Sequence, residues 1–357
     1  MAKSQKRKYK LIATIVFSVI FIALCVLYYI YSPYLNNAKG EIETDFPIVF
    51  DATAENDLEV HFISVGQGDS VLIRTPDNTN ILIDAGDGYK DNRDHLLSYL
   101  DNLGIKTLDY VVATHSDNDH IGGFDDIFDN YKVEFVFRPY IYSRHEVSED
   151  LDEAFNPQTA AYKCTTKVYA EFLVDVYEEK SDWAFFDADT DIIINYGDEN
   201  SQNKLYFDVL APFVDLKDLD YNDPNSYSPF IRLEYMGVSF MFTGDADTEV
   251  EASVLARYTP NELNSTVLKL GHHGSDTSSS VAFFNAVRPS YCVVSCGADN
   301  DYGHPKQSVL QTVLLYGSSL YRTDLQGDIV FSVTADGQLP PPTCSIEYTG
   351  SDLYVGH

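Results

Sequence analysis

The sequence predicts a layered α/β domain carried behind a single N-terminal membrane span. Three observations predict it. Short β-branched runs alternate with helical segments. Two histidines and two aspartates gather within six residues where one such run stops, and a charge-free apolar stretch follows a basic N-terminus.

The first ten residues carry Lys3, Lys6, Arg7, Lys8 and Lys10 and no acid. Leu11 to Tyr31 is then an uncharged apolar run that, as a helix, spans roughly 30 Å, one hydrocarbon thickness. Tyr28, Tyr29, Tyr31 and Tyr34 crowd its far end, where an aromatic belt would sit. Basic residues ahead of the span place the N-terminus in the cytoplasm and the rest of the chain outside the cell membrane. The run is longer than a secretory h-region and no A-x-A site follows, which favours an uncleaved anchor. Leu24 is too bulky to precede Cys25 in a lipoprotein site. The expected organisation is a basic tail (1–10), a transmembrane anchor (11–31), a tether (32–57) and one catalytic domain (58–357).

With 357 residues, 45% hydrophobic and 13% aromatic, the chain can bury a large core, so global disorder is excluded. The net charge is −31, and since the first forty residues hold six basic side chains and no acid, the remainder carries −37. Such a domain opposes non-specific nucleic-acid binding, whose affinity comes from Lys and Arg meeting phosphate. Of five cysteines, Cys164, Cys292, Cys296 and Cys344 lie beyond the span. Cys292 and Cys296 share one strand-like run and stand about 13 Å apart there, too far for a disulfide. No disulfide framework is expected.

Past the tether, Val60–Val65, Ser70–Arg74 and Asn80–Asp84 read as a β-meander with Gly66-Gln67-Gly68-Asp69 and Pro76-Asp77-Asn78 at its turns. Residues 94–103 have helical spacing, and Leu108–Ala113 reads as a buried strand. Residues 165–180 form an amphipathic helix with Val168, Phe172, Leu173, Val176 and Tyr177 on one face. Residues 182–202 are acidic and read as irregular. Strands follow at 206–211, 238–243, 265–270 and 290–294, with helices near 248–257 and 279–287. Aromatic and Met residues of 231–242 read as core, and Trp183 carries no signal.

The strand ends carry the chemistry. Ligands collect at the carboxyl ends of strands in layered α/β folds, and here those ends hold 115–120, Asp245, His272–His273 and Asn300–His304. In extended backbone His115 and Asp117 point to one spot, while Asp119 and His120 in the following turn serve a second. Imidazole nitrogen and carboxylate oxygen hold Zn²⁺ or Mn²⁺, so a two-metal site is expected rather than a solvated polar turn.

At this point the chain resembles the metallo-β-lactamase superfamily, and more closely the extracellular hydrolase domain of ComEC-type competence proteins, which are DNA-uptake channels. The pieces that carry the resemblance are HFISVGQGDSVLI (61–73), ILIDAG (81–86), THSDNDHIGG (114–123), NSYSPFIRLEY (225–235), FTGDAD (242–247), LKLGHHGS (268–275) and YGHP (302–305). The resemblance implies an αββα sandwich. Asp117 stands where the superfamily usually has the second histidine of H-x-H-x-D-H, as in the ComEC-type branch. The multi-helix channel of that branch is not matched by the one span, so DNA passage through this chain alone is not implied.

By position, the resemblance makes His115 and Asp117 ligands of one ion, places Asp119, His120 and His272 on a second, and lets Asp245 bridge them. The superfamily often adds a histidine between the 120 and 245 motifs. His145 is the only candidate, lacks a motif and reads as a surface residue, so the first site is expected to be open or weaker. Asp117 contributes a hard oxygen donor, which tilts the choice between Zn²⁺ and Mn²⁺ toward Mn²⁺.

Two such ions about 3.5–4 Å apart activate a water and clamp both oxygens of an in-line displacement, so the expected nucleophile is hydroxide generated on them. His273 or His304 is expected to protonate the leaving oxygen. Ser275, Asn300 and Lys269 are expected to contact phosphate or hold loops, although Lys269 between two core leucines also reads as a solvated side chain. Asp84 is expected to fix the motif loop from behind. Gly66 and Gly68 read as turn residues, and His61 and His95 as surface or satisfied histidines. The function expected is a membrane-anchored extracellular phosphodiesterase or nuclease acting on DNA, with a separate channel protein as a partner. The rivals are a cell-surface phosphoesterase on wall-polymer or phosphorylcholine esters, and an inactive binding module.

Overall fold

The computed structural model describes residues 48–54, 56–141, 166–188, 190–196, 203–213 and 223–357, within the unit Glu43–His357. The expected span and basic tail, most of the tether, and His145 lie outside them. Among the described residues no helix is long and apolar enough to cross a membrane.

The chain runs through β1 (Ile48–Ala52), β2 (Leu58–Phe62), β3 (Val71–Arg74), β4 (Asn80–Ile83), β5 (Thr107–Val112), β6 (Lys132–Arg138), β7 (Asp182–Phe185) and β8 (Asp191–Tyr196). It continues through β9 (Lys204–Ala211), β10 (Phe230–Tyr235), β11 (Val238–Phe242), β12 (Val267–Lys269), β13 (Tyr291–Val294), β14 (Ser319–Arg322), β15 (Ile329–Val333) and β16 (Thr343–Cys344). One sheet has the order β16-β15-β2-β3-β4-β5-β6-β7 and the other β1-β8-β9-β10-β11-β12-β13-β14.

Period-two alternation explains the layering. In β3, Val71 and Ile73 face the other sheet and Leu72 faces outward. In β12, Val267 faces inward and Leu268 outward. The central layer therefore joins Phe62, Ile83 and Phe331 to Phe207, Leu233 and Phe240. Leu96, Phe124 and Phe172 on helices cover the outer face of the first sheet. Val254, Phe284 and Leu310 cover the outer face of the second. This is the αββα sandwich expected. The helices at Lys90–Asn102, Lys167–Glu179, Thr248–Arg257 and Val281–Val287 fall within a few residues of their predicted positions.

Two readings need correction. Residues 182–202 are not irregular up to Tyr196, because they contribute β7 and β8. Their acids sit mainly at strand ends, while Ala184, Phe186, Ile192 and Ile194 enter the inter-sheet core; composition hid the alternation. In the stretch read as tether, Ile48–Ala52 is an edge strand paired in parallel with β8.

β4, β5, β6 and β7 run parallel, as do β11, β12, β13 and β14. The loops that leave β4, β5, β11 and β12 carry Asp84, His115–His120, Asp245 and His272–His273, so one end of the sandwich gathers the chemistry. Near β15, His95 Nε2 lies 2.9 Å from Asp328 Oδ1, which also accepts a hydrogen bond from the Ser64 amide at 2.9 Å. This ties the first outer helix to the sheet. His61 is buried rather than on the surface, with Nδ1 2.8 Å from the Tyr99 hydroxyl.

The bond to Asp328 raises the His95 pKa, and the bond from His95 helps hold Asp328 low against burial. A raised histidine pKa stabilises the fold below its unfolded value of about 6.5, and a lowered carboxylate pKa above its unfolded value of about 3.9. The pair therefore contributes most between these limits. Asp328→Asn is expected to lower the His95 pKa and flatten the stability–pH curve on the neutral side of that window. Histidine NMR titration with denaturant melts checks this, and an unmoved His95 pKa contradicts it.

Candidate metal centre

β5 ends at Val112, and Thr114 and His115 follow it into the interior. Asp117 then precedes the short helix Asn118–Ile121, which carries Asp119 and His120, and its side chain makes no capping hydrogen bond. The turn expected after Asp117 is one helical turn, and it brings His120 back beside His115. Their ring centroids are 4.2 Å apart. His115 Nε2 lies 3.7 Å from Asp117 Oδ2.

Behind these rings stands Asp84, fully buried. Its Oδ1 accepts the Thr114 amide at 2.9 Å, and its Oδ2 accepts the Thr114 hydroxyl and His120 Nδ1, each at 2.7 Å. Thr114 has one hydroxyl proton and gives it to Asp84. At 3.0 Å from His115 Nδ1, it therefore accepts the proton on that nitrogen. The network leaves the Nε2 atoms of both His115 and His120 as the forward-facing nitrogens.

The second sheet completes the centre. Asp245 follows β11, and its amide donates to Ser228 Oγ at 3.1 Å, which also lies 3.3 Å from His115 Nδ1. Asp245 Oδ1 is 3.2 Å from His120 Nε2, and Oδ2 is 3.4 Å from His273 Nε2 and 3.6 Å from His272 Nε2. His273 Nε2 is also 3.2 Å from Asp119 Oδ2, while its Nδ1 donates to the Ser295 carbonyl at 3.0 Å.

Burial and charge shape the titration of these groups. Burial, reinforced by the charge of His120, pushes His115 down to about 3. Burial and neighbouring Asp119 push Asp117 up to about 6. For His120 and His273 burial is outweighed, chiefly by Asp245, and both are raised well above the ordinary histidine value. Asp245 is correspondingly held well below the carboxylate range by these two rings, against its burial. In the bare protein these rings and the Asp245 carboxylate therefore compensate one another in charge.

A cation fits this donor set. The Nε2 atoms of His115, His120 and His273 and Asp245 Oδ1 are buried without a hydrogen-bond partner. Buried polar atoms without hydrogen bonds are unusual inside a protein, and these face one another at ion-pair distances in one region. Four buried residues, Asp69, His120, Asp245 and His273, bring donor atoms within 4.8 Å of one another.

The predicted residues divide into those drawn together and those engaged elsewhere. His115, Asp117, Asp119, His120 and Asp245 converge, and His272 joins at the rim with its side chain 26% exposed. The GHHG turn holds both histidines at positive φ, +49° and +52°, so consecutive rings diverge and His273 enters the buried cluster. The sequence alone gives His273 the role of proton donor, whereas its Nε2 faces Asp245 and Asp119 inside the cluster. Lys269 is 1% exposed, with Nζ 2.5 Å from Asp69 Oδ2, so it is neither solvated nor at the cleft surface. Ser275 Oγ bonds the Thr277 hydroxyl at 2.9 Å. The Asn300 amide is used by its own loop, donating to the Gly297 and His304 carbonyls and accepting the His304 amide. His304 packs edge-on against His272, centroids 5.6 Å apart, and burial pushes it down to about 4.

Sequence reasoning missed Asp69 and Ser228, although both lie in stretches that carried the resemblance. The available signal was an acid directly after a strand–turn element, beside glycines that were read only as turn residues.

The fold and donor cluster define a metal-dependent hydrolase. The metallo-beta-lactamase superfamily matches residues 63–297, and the chain belongs to it. It is 32% identical to competence protein ComA of Neisseria gonorrhoeae over 80% of this chain and 34% of that protein. It is 31% identical to ComE operon protein 3 of Bacillus subtilis over 76% of this chain and 33% of that protein. The chain thus spans about a third of the length of these curated relatives. Among solved structures it is similar to CmlA, a diiron β-hydroxylase from Streptomyces venezuelae (TM-score 0.47, 14% identity, 78% of this chain and 55% of that one).

Divalent cations are expected to stabilise the chain by about 2.7 kcal/mol at a hundredfold excess over Kd, read as a rise in Tm. Asp245→Ala is expected to abolish that rise, and Asp84→Asn to weaken metal affinity roughly 10–100-fold. A Tm indifferent to Mn²⁺ and Zn²⁺ contradicts the centre.

Proposed function

We propose that the chain is a membrane-anchored, extracellular phosphodiesterase whose substrate is DNA. The observation that carries the reading is the convergence of Nε2 atoms and carboxylates from both sheets on Asp245. Two divalent cations, Zn²⁺ or Mn²⁺, would be held there and supply Lewis acidity and an activated water. His115 and Asp117 would hold one, Asp119, His120 and His273 the other, with Asp245 between them and His272 at the rim.

The chain's own residues then have defined tasks. Asp84 and Thr114 keep His115 and His120 turned forward. Ser228 holds the Asp245 loop against His115. His304, pushed down to about 4 by burial, is neutral at pH 7 and packs against His272, where its N–H would suit a phosphate oxygen. Residues 11–31 would anchor the chain with its N-terminus in the cytoplasm. The resemblance to competence proteins supports DNA as substrate and a separate channel protein as partner.

The acidic composition favours one rival, a phosphoesterase acting on small wall-polymer or phosphorylcholine esters, which needs no basic groove. The nearly complete donor set counts against an inactive binding module. Incubation of the full chain with Mn²⁺ and labelled single-stranded DNA is expected to yield fragments. EDTA is expected to stop cleavage, and Asp245→Ala to reduce it at least 10²-fold. Hydrolysis of a phosphorylcholine chromogenic ester with intact DNA would establish the rival, and inactivity toward both with no bound metal would establish the binding module.

A further inference from the structure

Asp69 and Lys269 form a buried ion pair that the functional reading above leaves without a task. Lys269 Nζ lies 2.5 Å from Asp69 Oδ2 and donates to the Leu270 carbonyl at 3.2 Å. Asp69 is locked where three segments meet. Its amide donates to the Asp119 carbonyl at 3.2 Å, and its carbonyl accepts the Gly86 amide at 2.9 Å. Gly68 permits this approach, since a Cβ there would stand 2.3 Å from the Asp119 carbonyl oxygen.

The nitrogen that Asp69 faces decides its task. Asp69 Oδ1 lies 3.3 Å from His273 Nδ1 and Oδ2 3.9 Å from His120 Nδ1. Those nitrogens give their protons to the Ser295 carbonyl and to Asp84, so Asp69 backs both rings by contact and not by a hydrogen bond. Asp245 faces the other nitrogen of both rings, 3.2 Å from His120 Nε2 and 3.4 Å from His273 Nε2. The two nitrogens of an imidazole point to opposite sides of the ring. An ion that takes both Nε2 lone pairs and an Asp245 oxygen therefore lies across the rings from Asp69.

We propose that Asp69 is not a metal ligand, and that Asp69 and Lys269 act as a positioning pair that holds His120 and His273 with Nε2 toward the cations. The proposal rests on the two-cation reading. Lys269 cancels the charge of Asp69, so the rings are braced from behind without another uncompensated carboxylate. The acids left facing the front of the rings are Asp117, Asp119 and Asp245.

The double variant Asp69→Asn, Lys269→Met tests this in the full chain, because replacing both partners of a buried pair leaves neither charge stranded. It is expected to melt near the parent and bind as many Mn²⁺ ions per chain, with affinity reduced roughly 10–100-fold by calorimetry. The Co²⁺-loaded variant is expected to keep the parent's absorption intensity. Loss of an ion, or a changed Co²⁺ coordination spectrum, makes Asp69 a ligand and overturns the proposal. Unchanged affinity makes the pair simple packing and also overturns it. A crystal structure of the zinc-loaded parent tests the same point without any variant, and Asp69 oxygen at the roughly 2.0–2.2 Å of a carboxylate–zinc bond overturns it. A parent that binds no ion overturns the two-cation reading, and this proposal with it.

Discussion

One carboxylate joins the two halves of this molecule's centre. Asp245, delivered by the second sheet, sets Oδ1 against His120 from the first sheet and Oδ2 against His273 from its own. These groups are buried, so each alone would cost several kcal/mol of desolvation. They are tolerated because opposite charges and hydrogen bonds compensate one another. The two sheets must therefore meet in one register, and the glycine-containing loops at their ends make that register reachable.

Around that contact the chain builds a graded environment. Asp84 with Thr114, and the Ser295 carbonyl, take the rear nitrogens of the histidines. The front nitrogens are left without hydrogen-bond partners. This asymmetry is the signature of ligand histidines, whose rear N–H is ordinarily bonded so that the front lone pair is aimed. The strongly acidic surface does not conflict with chemistry on an anionic ester. Beyond about 8 Å exposed charges are largely screened at physiological salt, whereas cations held within the centre would act at contact distance.

Much of the fold was legible because its elements obey local periodicities. The β-meander, the strand into the His–Asp motif and four outer helices declared themselves by alternation or helical spacing. The two strands between Asp182 and Tyr196 did not, because acids at their ends masked the buried residues between them. At the centre, ligand-capable residues at strand ends pointed to one locus. The histidine pair is where local reasoning failed: neighbours in sequence, His272 and His273 separate because two consecutive left-handed residues turn one ring inward and leave the other at the rim. Lys269 and Asn300 were read from chemical type alone, and in the structure their polar atoms are engaged by Asp69 and by the loop backbone.

What the sequence alone determined was the chemistry available: which donors exist, which strands deliver them, and the superfamily their motifs belong to. These are properties of local runs, where spacing and residue type suffice. Which face of each imidazole meets which carboxylate was decided only by the tertiary structure. That outcome depends on how two sheets, far apart in sequence, close against each other, and on buried pairs such as Asp69 with Lys269, whose partners lie two hundred residues apart.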